Sequence, residues 1–143
     1  MPSMCIARGW RDCPREERQT GSEGLGKSDV SGTRQVIAPQ LRVLEEAGIP
    51  YGSGVARFED LARGRMLGDR DGLLKLLVHQ KDRRVLGVHC VGTSATELIH
   101  IGQMVMAFNG TVNDLVDNVF NYPTLAEAYK VAAHNAVNKL ERR

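Results

Sequence analysis

The chain has 143 residues, 19 Lys+Arg against 17 Asp+Glu, and a formal net charge of +2. So balanced a surface excludes the broad positive field expected of a nucleic-acid or anionic-membrane binder. No apolar run approaches the roughly 20 residues of a bilayer span, and no signal-peptide core follows Met1, so no membrane association and a cytoplasmic location are expected.

Composition divides the chain near residue 40. Met1 to Thr33 is rich in Gly, Ser, Arg and Glu, with isolated apolar residues and no regular period. Such a segment buries too little apolar surface to offset its ordering entropy. A flexible tail over residues 1–37 and one domain over 38–143 are expected. Cys5, Cys13 and Cys90 form no CxxC pair, and reduced thiols are expected of all three.

Within the tail, Gly21 to Ser28 matches the phosphate-loop pattern GxxxxGK[ST]. The pattern works only where a buried strand delivers the loop and a helix points its N-terminal amides at the phosphates. Cys13 to Thr20 supplies no strand and Asp29 to Thr33 is a poor helix, so chance explains the match.

The predicted elements begin with a short helix over Ala38 to Ala47, stopped by Gly48 and Pro50. Tyr51 to Phe58 reads as a strand in which Val55 alternates with polar neighbours and Gly52 and Gly54 mark a bend or bulge. Asp60 to Leu67 fits either a strand or a helical turn, and Asp69 to Gly72 is turn chemistry. Leu73 to His79 and Val85 to Val91 flank the polar connection Lys81 to Arg84, which predicts a β-hairpin.

Gly92 ends that hairpin, and Ser94-Ala95-Thr96-Glu97 has the spacing of a capping box. The helix that follows carries Leu98, Ile101, Val105 and Phe108 on one stripe, with Ile99 and Met106 beside it, and closes at Asn109-Gly110. Thr111 to Asp114 repeats the capping pattern before a short helix through Val116. Pro123 suits the first turn of the last helix, where its missing N–H costs nothing. Leu125, Ala128, Ala132, Ala136 and Leu140 form that helix's apolar stripe. Strands first and helices after argue an α+β domain, an antiparallel sheet with helices packed on one face.

Two constellations have side chains of ligand-binding type. His79, His89, His100 and His134 form no HxxxH or HExxH pattern. The adjacent His89 and Cys90 would point to opposite faces of a strand, so no metal site is expected. Met104 and Met106, with Ile99 and Ile101, suit a core or subunit-contact face better than a cofactor pocket.

Residues Phe120 to Tyr129 hold more. A loop enters a helix there, with tyrosines at 122 and 129 and a carboxylate at 127. This stretch, with Phe58, Leu61-Ala62-Arg63, Val85 to Cys90 and Ala95 to Gln103, resembles the C-terminal dimerisation domain of the FAD-dependent pyridine nucleotide-disulfide oxidoreductases. The likeness covers about Tyr51 to Leu140 and is greatest to the soluble transhydrogenase branch of that family. Leu41 to Pro50 also fits the helix leading into such a domain.

The resemblance implies a homodimer, or pairing with a full-length relative. It also implies a parent chemistry of hydride transfer between NADPH and NAD through FAD. The disulfide reductases of the family read His-Pro-Thr-x-x-Glu, with the His acting as base toward a thiol at the partner's site. Here Tyr122 stands in the His position while Pro123, Thr124 and Glu127 remain. A phenol, with an ordinary pKa of about 10, is a poor base for thiol exchange at neutral pH, whereas transhydrogenation requires none.

Asn121, Tyr122, Pro123, Thr124 and Glu127 are thus the candidate contacts to a partner subunit's flavin site, with no catalytic residue expected in the isolated chain. The family's dinucleotide fingerprint GxGxxG is absent from the sequence. The chain alone is expected to bind neither FAD nor NAD(P), as a truncated or frame-shifted gene product would. A stand-alone association module and a fragment of a dihydrolipoamide dehydrogenase-like reductase are the alternatives.

Overall fold

The structure, a computed structural model, describes residues 34–37 and 41–142. The phosphate-loop match, Cys5, Cys13 and the first 33 residues of the expected tail lie outside the described residues. The tail's expected boundary moves, because Arg34–Ile37 forms a strand, β1.

After β1 come α1 (Leu41–Glu46), β2 (Tyr51–Arg57), a 3-10 turn (Phe58–Asp60) and α2 (Ala62–Leu67). The hairpin β3 (Leu73–His79) and β4 (Val85–Val91) follows, then α3 (Ala95–Ala107), α4 (Val112–Asp117) and α5 (Glu127–Glu141). The four strands form one sheet in the order β1-β4-β3-β2, with every pairing antiparallel. The α+β expectation holds, and Asp60 to Leu67 resolves as a turn and a helix.

The two long helices pack on one face. The main core gathers Leu74, Leu76 and Val78 of β3 and Val88 and Cys90 of β4 with Leu98, Ile99 and Met106 of α3 and Ala128, Tyr129, Ala132, Ala133 and Ala136 of α5. Leu77 points the other way, as the period of 2 requires, and joins Leu44 and Leu86 in a smaller cluster. Strict alternation from Val88 would place Leu86 in the main core. The register shift at Leu77/Val78, where Gly87 and then Val85 are the partners on β4, leaves Leu86 as the extra residue and turns it away.

The bulge therefore lies in the hairpin and not in β2, where the sequence placed it. Tyr51 to Arg57 pairs with β3 in continuous register. Gly52 and Gly54 serve close approach instead. A Cβ on Gly54 would lie 1.9 Å from the Ala132 carbonyl oxygen, and one on Gly52 2.6 Å from Leu140 Cδ2. The inward face of β2 is Gly52, Gly54 and Ala56, while Val55 is on the opposite face. Small residues on the strand meet the alanines of α5, so helix and sheet touch almost backbone to backbone. Where β2 is the sheet's edge, α5 also supplies polar partners: Val55 N–H donates to Asn135 Oδ1 at 3.1 Å and Lys139 Nζ to the Ser53 carbonyl at 3.3 Å. Edge groups satisfied this way are less open to pairing with another chain.

Two helix starts with similar sequences behave differently. At α4 the capping box forms: Thr111 Oγ1 accepts from Asp114 N–H, and the Asp114 carboxylate accepts from the Thr111 amide. At α3 it does not, because Ser94 is left-handed (φ 59°) and its hydroxyl makes no cap bond. The stripe expected on α3 also shifts. Ala95, Leu98, Ile99, Gly102 and Met106 are buried, whereas Ile101 and Val105 are only partly covered and Phe108 is exposed.

Asp69 joins the two turns at one end of the sheet, with Oδ1 accepting from Gly72 N–H and Oδ2 from Thr93 N–H, each at 2.7 Å. Its burial works to raise the carboxyl's pKa, but the bonds from Thr93 and Gly72 outweigh that and hold it below the ordinary value. Asp82 is lowered in the same balance by Arg84 and His79, and Asp114 by Thr111. Each of these groups takes up its proton less readily folded than unfolded. The stability it contributes is full above the unfolded carboxylate range and is lost as pH falls toward the lower folded pKa. The urea midpoint is therefore expected to fall progressively below about pH 4, and Asp69→Asn should flatten that acid limb. An unchanged acid limb in Asp69→Asn would remove this role.

Candidate functional site: the loop before the last helix

Pro123 does not occupy the first helical turn. Helix α5 begins at Glu127, and Pro123 sits four positions earlier after a cis Tyr122–Pro123 peptide. The segment 121–126 is a loop whose shape is set by Thr124. Thr124 Oγ1 donates to the Asn121 carbonyl at 2.7 Å, and the Thr124 N–H donates to Glu127 Oε2 at 3.4 Å. Thr124-Leu125-Ala126-Glu127 thus supplies the glutamate half of a capping box, while the threonine hydroxyl turns back to the loop. The amides of Ala128 and Tyr129 then donate to Leu125 and Ala126, closing a tight first turn. Leu125 is buried beneath it.

The five candidate residues separate into two groups. Asn121, Tyr122 and Pro123 are exposed, with Tyr122 at 70% and the nearby Val119 at 92%. Thr124 and Glu127 are partly covered and bonded to one another. Upstream, Lys130 Nζ donates to the Asn118 carbonyl at 3.0 Å, tying the loop's entry to α5.

Helix α3 presents a second apolar surface. Its outward side carries Ile101, Met104, Val105 and Phe108 at positions i, i+3, i+4 and i+7, with Met104 54% and Phe108 66% exposed. The methionine patch read from the sequence is thereby split: Met106 and Ile99 belong to the core and Met104 to the surface.

The remaining candidates for chemistry have structural surroundings. His79 Nδ1 pairs with Asp82 Oδ1 at 2.6 Å in the hairpin turn, and His100 Nδ1 lies 2.9 Å from Gln103 Oε1. Among the described residues no three His, Cys, Asp or Glu side chains converge as a metal site. Burial, and then the Asp69 charge, push the Cys90 thiol up to about 11. Cys90 is therefore protonated near neutrality and a poor nucleophile. The sheet, antiparallel throughout, holds no βαβ crossover that would aim a helix N-terminus at a dinucleotide pyrophosphate. No described helix is long and apolar enough to cross a membrane.

Tyr129 is the residue whose role the sequence did not disclose. Its hydroxyl donates to the Leu98 carbonyl at 2.7 Å and accepts from the Gly102 N–H at 3.0 Å. Gly102 in the middle of a helical pattern was the available signal, since such a glycine often marks close packing.

Among solved structures, this fold is similar to LpdA from Mycobacterium tuberculosis, with a TM-score of 0.66, 23% identity, and coverage of 71% of this chain and 22% of that one. The flavoprotein disulfide reductase RclA from Escherichia coli is similar at a TM-score of 0.66 and 24% identity, over 71% of this chain and 23% of that one. Likeness at that identity speaks for the fold alone. In sequence the chain is similar to the soluble pyridine nucleotide transhydrogenase of Mycobacterium tuberculosis (strain ATCC 25177 / H37Ra), 58% identical over 97 residues, 68% of this chain and 21% of the relative. The corresponding protein of Marinobacter nauticus is 48% identical over 102 residues, 69% of this chain and 22% of the relative. The chain therefore spans about a fifth of the length of the curated relatives it matches. Residues 41–133 match the pyridine nucleotide-disulphide oxidoreductase dimerisation domain. With the antiparallel sheet, its helical cover and the Asn121–Glu127 loop in place, the chain belongs to that family of dimerisation domains.

Proposed function

We propose that this chain is the subunit-contact domain of a soluble transhydrogenase-like flavoprotein. Asn121, Tyr122 and Pro123 meet a partner subunit's flavin site, while Thr124 and Glu127 hold the loop in shape. The observation that carries this reading is the exposed Tyr122 on a loop braced from behind by its own Thr124 and Glu127. With Tyr122 where the disulfide reductases have their base, and Cys90 protonated, the domain contributes contact and not thiol exchange. The parent chemistry is hydride transfer between NADPH and NAD by way of FAD held elsewhere.

The outward side of α3 is the self-association surface in this reading. An exposed apolar stripe at helical spacing is costly to leave in water and suits a second copy of the same helix. Pairing with a full-length relative would use the same surface.

Sedimentation of the purified chain tests this. Self-association is expected, and Met104→Asp with Phe108→Asp should weaken it at least about tenfold, since buried aromatic anchors dominate interfaces. The melting temperature should hardly move, because both side chains are exposed in the single chain. The chain alone should carry no flavin absorbance band. A strict monomer at high concentration, or a chain that purifies yellow and reduces a nicotinamide analogue with NADPH, would sink the reading.

A further inference from the structure

Leu98 and Gly102 are residues i and i+4 of α3, whose carbonyl and amide a regular helix joins directly. In this protein the Tyr129 hydroxyl bonds to both, so a phenol from α5 is tied to both groups of one rung of its neighbour. Room for it comes from Gly102, where a Cβ would lie 2.9 Å from the Tyr129 oxygen and 2.3 Å from Val88 Cγ2. The ring itself is fully buried. Apolar burial alone would be served as well by phenylalanine; a buried tyrosine is distinguished by what its hydroxyl reaches.

Position makes this contact matter. Tyr129 stands two residues beyond Glu127, and Glu127 is bonded to Thr124 in the exposed loop. The loop's place in the molecule therefore follows the place of Tyr129. The bonds of Asn135 and Lys139 run from α5 to β2 and not to α3, and the other residues of α5 in the core are apolar: Ala128, Ala132, Ala133 and Ala136 buried, with Val137 and Leu140 partly buried beside them. Their burial is favourable but non-directional, whereas a hydrogen bond constrains angle as well as distance.

We propose that Tyr129 is a positioning residue whose hydroxyl fixes the Asn121–Glu127 loop relative to α3, presenting the loop and the helix's outward stripe to a partner in one orientation. The second half of this statement rests on the subunit-contact reading given above; the clamp itself does not.

Tyr129→Phe in the whole chain is the test. The substitution keeps the buried ring, and the Leu98 carbonyl and Gly102 amide are helix partners of one another, so the fold should persist. Amide hydrogen exchange in residues 121–127 is expected to rise about tenfold, the loss of one hydrogen bond's worth of protection. Exchange in β3 and β4 should be unchanged, and self-association should weaken by a similar factor. Unchanged loop exchange overturns the clamp whatever the association does. Faster loop exchange with undiminished association overturns the presentation role. Faster loop exchange in the variant, with an unsubstituted chain that never associates, supports the clamp and removes the subunit-contact reading. Were Tyr129→Phe to misfold, proton NMR of the unsubstituted chain decides the matter. A Tyr129 hydroxyl proton protected from exchange is expected, and its absence overturns the proposal.

Discussion

Gly54→Ala is expected to unfold the domain or come close to it. The added methyl carbon would lie 1.9 Å from the Ala132 carbonyl oxygen, 2.6 Å from the Ala136 nitrogen and 2.8 Å from the Ala136 Cβ. Two of these atoms are helix backbone, which cannot rotate away as a side chain can. Either α5 lifts off β2, or β2 leaves the sheet. The first route also draws Asn135 from the Val55 amide and Lys139 from the Ser53 carbonyl. Overpacking a core ordinarily costs about 1–3 kcal/mol, and a clash against backbone belongs at or above the upper end. Far-UV circular dichroism and urea denaturation read the effect. A midpoint within experimental error of the unsubstituted chain would show that α5 and β2 are not in close contact.

Phe58→Ala is the second large effect, expected at about 3–5 kcal/mol. Phe58 is fully buried between the end of β2 and the turn before β3, and its amide donates to the Gly72 carbonyl at 2.8 Å. The ring closes over the ends of both hairpin strands: Cβ atoms built on Gly72 and Gly92 would meet it at 2.2 and 3.2 Å. Removing it leaves a cavity at the end of the main core where Gly72 and Gly92 supply no side chain to fill it. Against a net domain stability of about 5–15 kcal/mol, the loss would leave a marginal protein. A shift of under about 1 kcal/mol in the same denaturation experiment would show that the site refills. Tyr122→Phe, on the exposed loop, is the matched control and should leave the midpoint where it was.

The elements that could be read from the sequence are those whose signal is chemical and local. The hairpin of β3 and β4 shows itself through two Leu/Val runs around a charged connection. The capping box at Thr111 and Asp114 forms as its spacing says. Of the candidate contacts, Asn121, Tyr122, Pro123 and Thr124 lie on one loop and Glu127 at the head of the helix it enters. What failed did so for identifiable reasons. Ser94 to Glu97 has the letters of a capping box, but a left-handed Ser94 turns the hydroxyl away, and a backbone angle has no residue signature outside glycine. Helix α3 is apolar on two sides, so a periodicity of 3.6 could not say which stripe faces the sheet. The more hydrophobic-looking Ile101, Val105 and Phe108 are the outer ones.

By itself, then, the sequence determined the α+β class, the hairpin, the family and the loop on which the candidate contacts lie. These follow from patterns of burial and capping carried by neighbouring residues. Only the tertiary structure decided how the loop is held and which helix face is left outside. Those features depend mainly on groups far apart in the chain: the Tyr129 hydroxyl on Leu98 and Gly102 of α3, and glycines of β2 against alanines of α5. Small residues carry almost no hydropathy, and a tyrosine hydroxyl carries no address. Their meaning appears when the chain is folded and the partner atoms stand a few ångströms away.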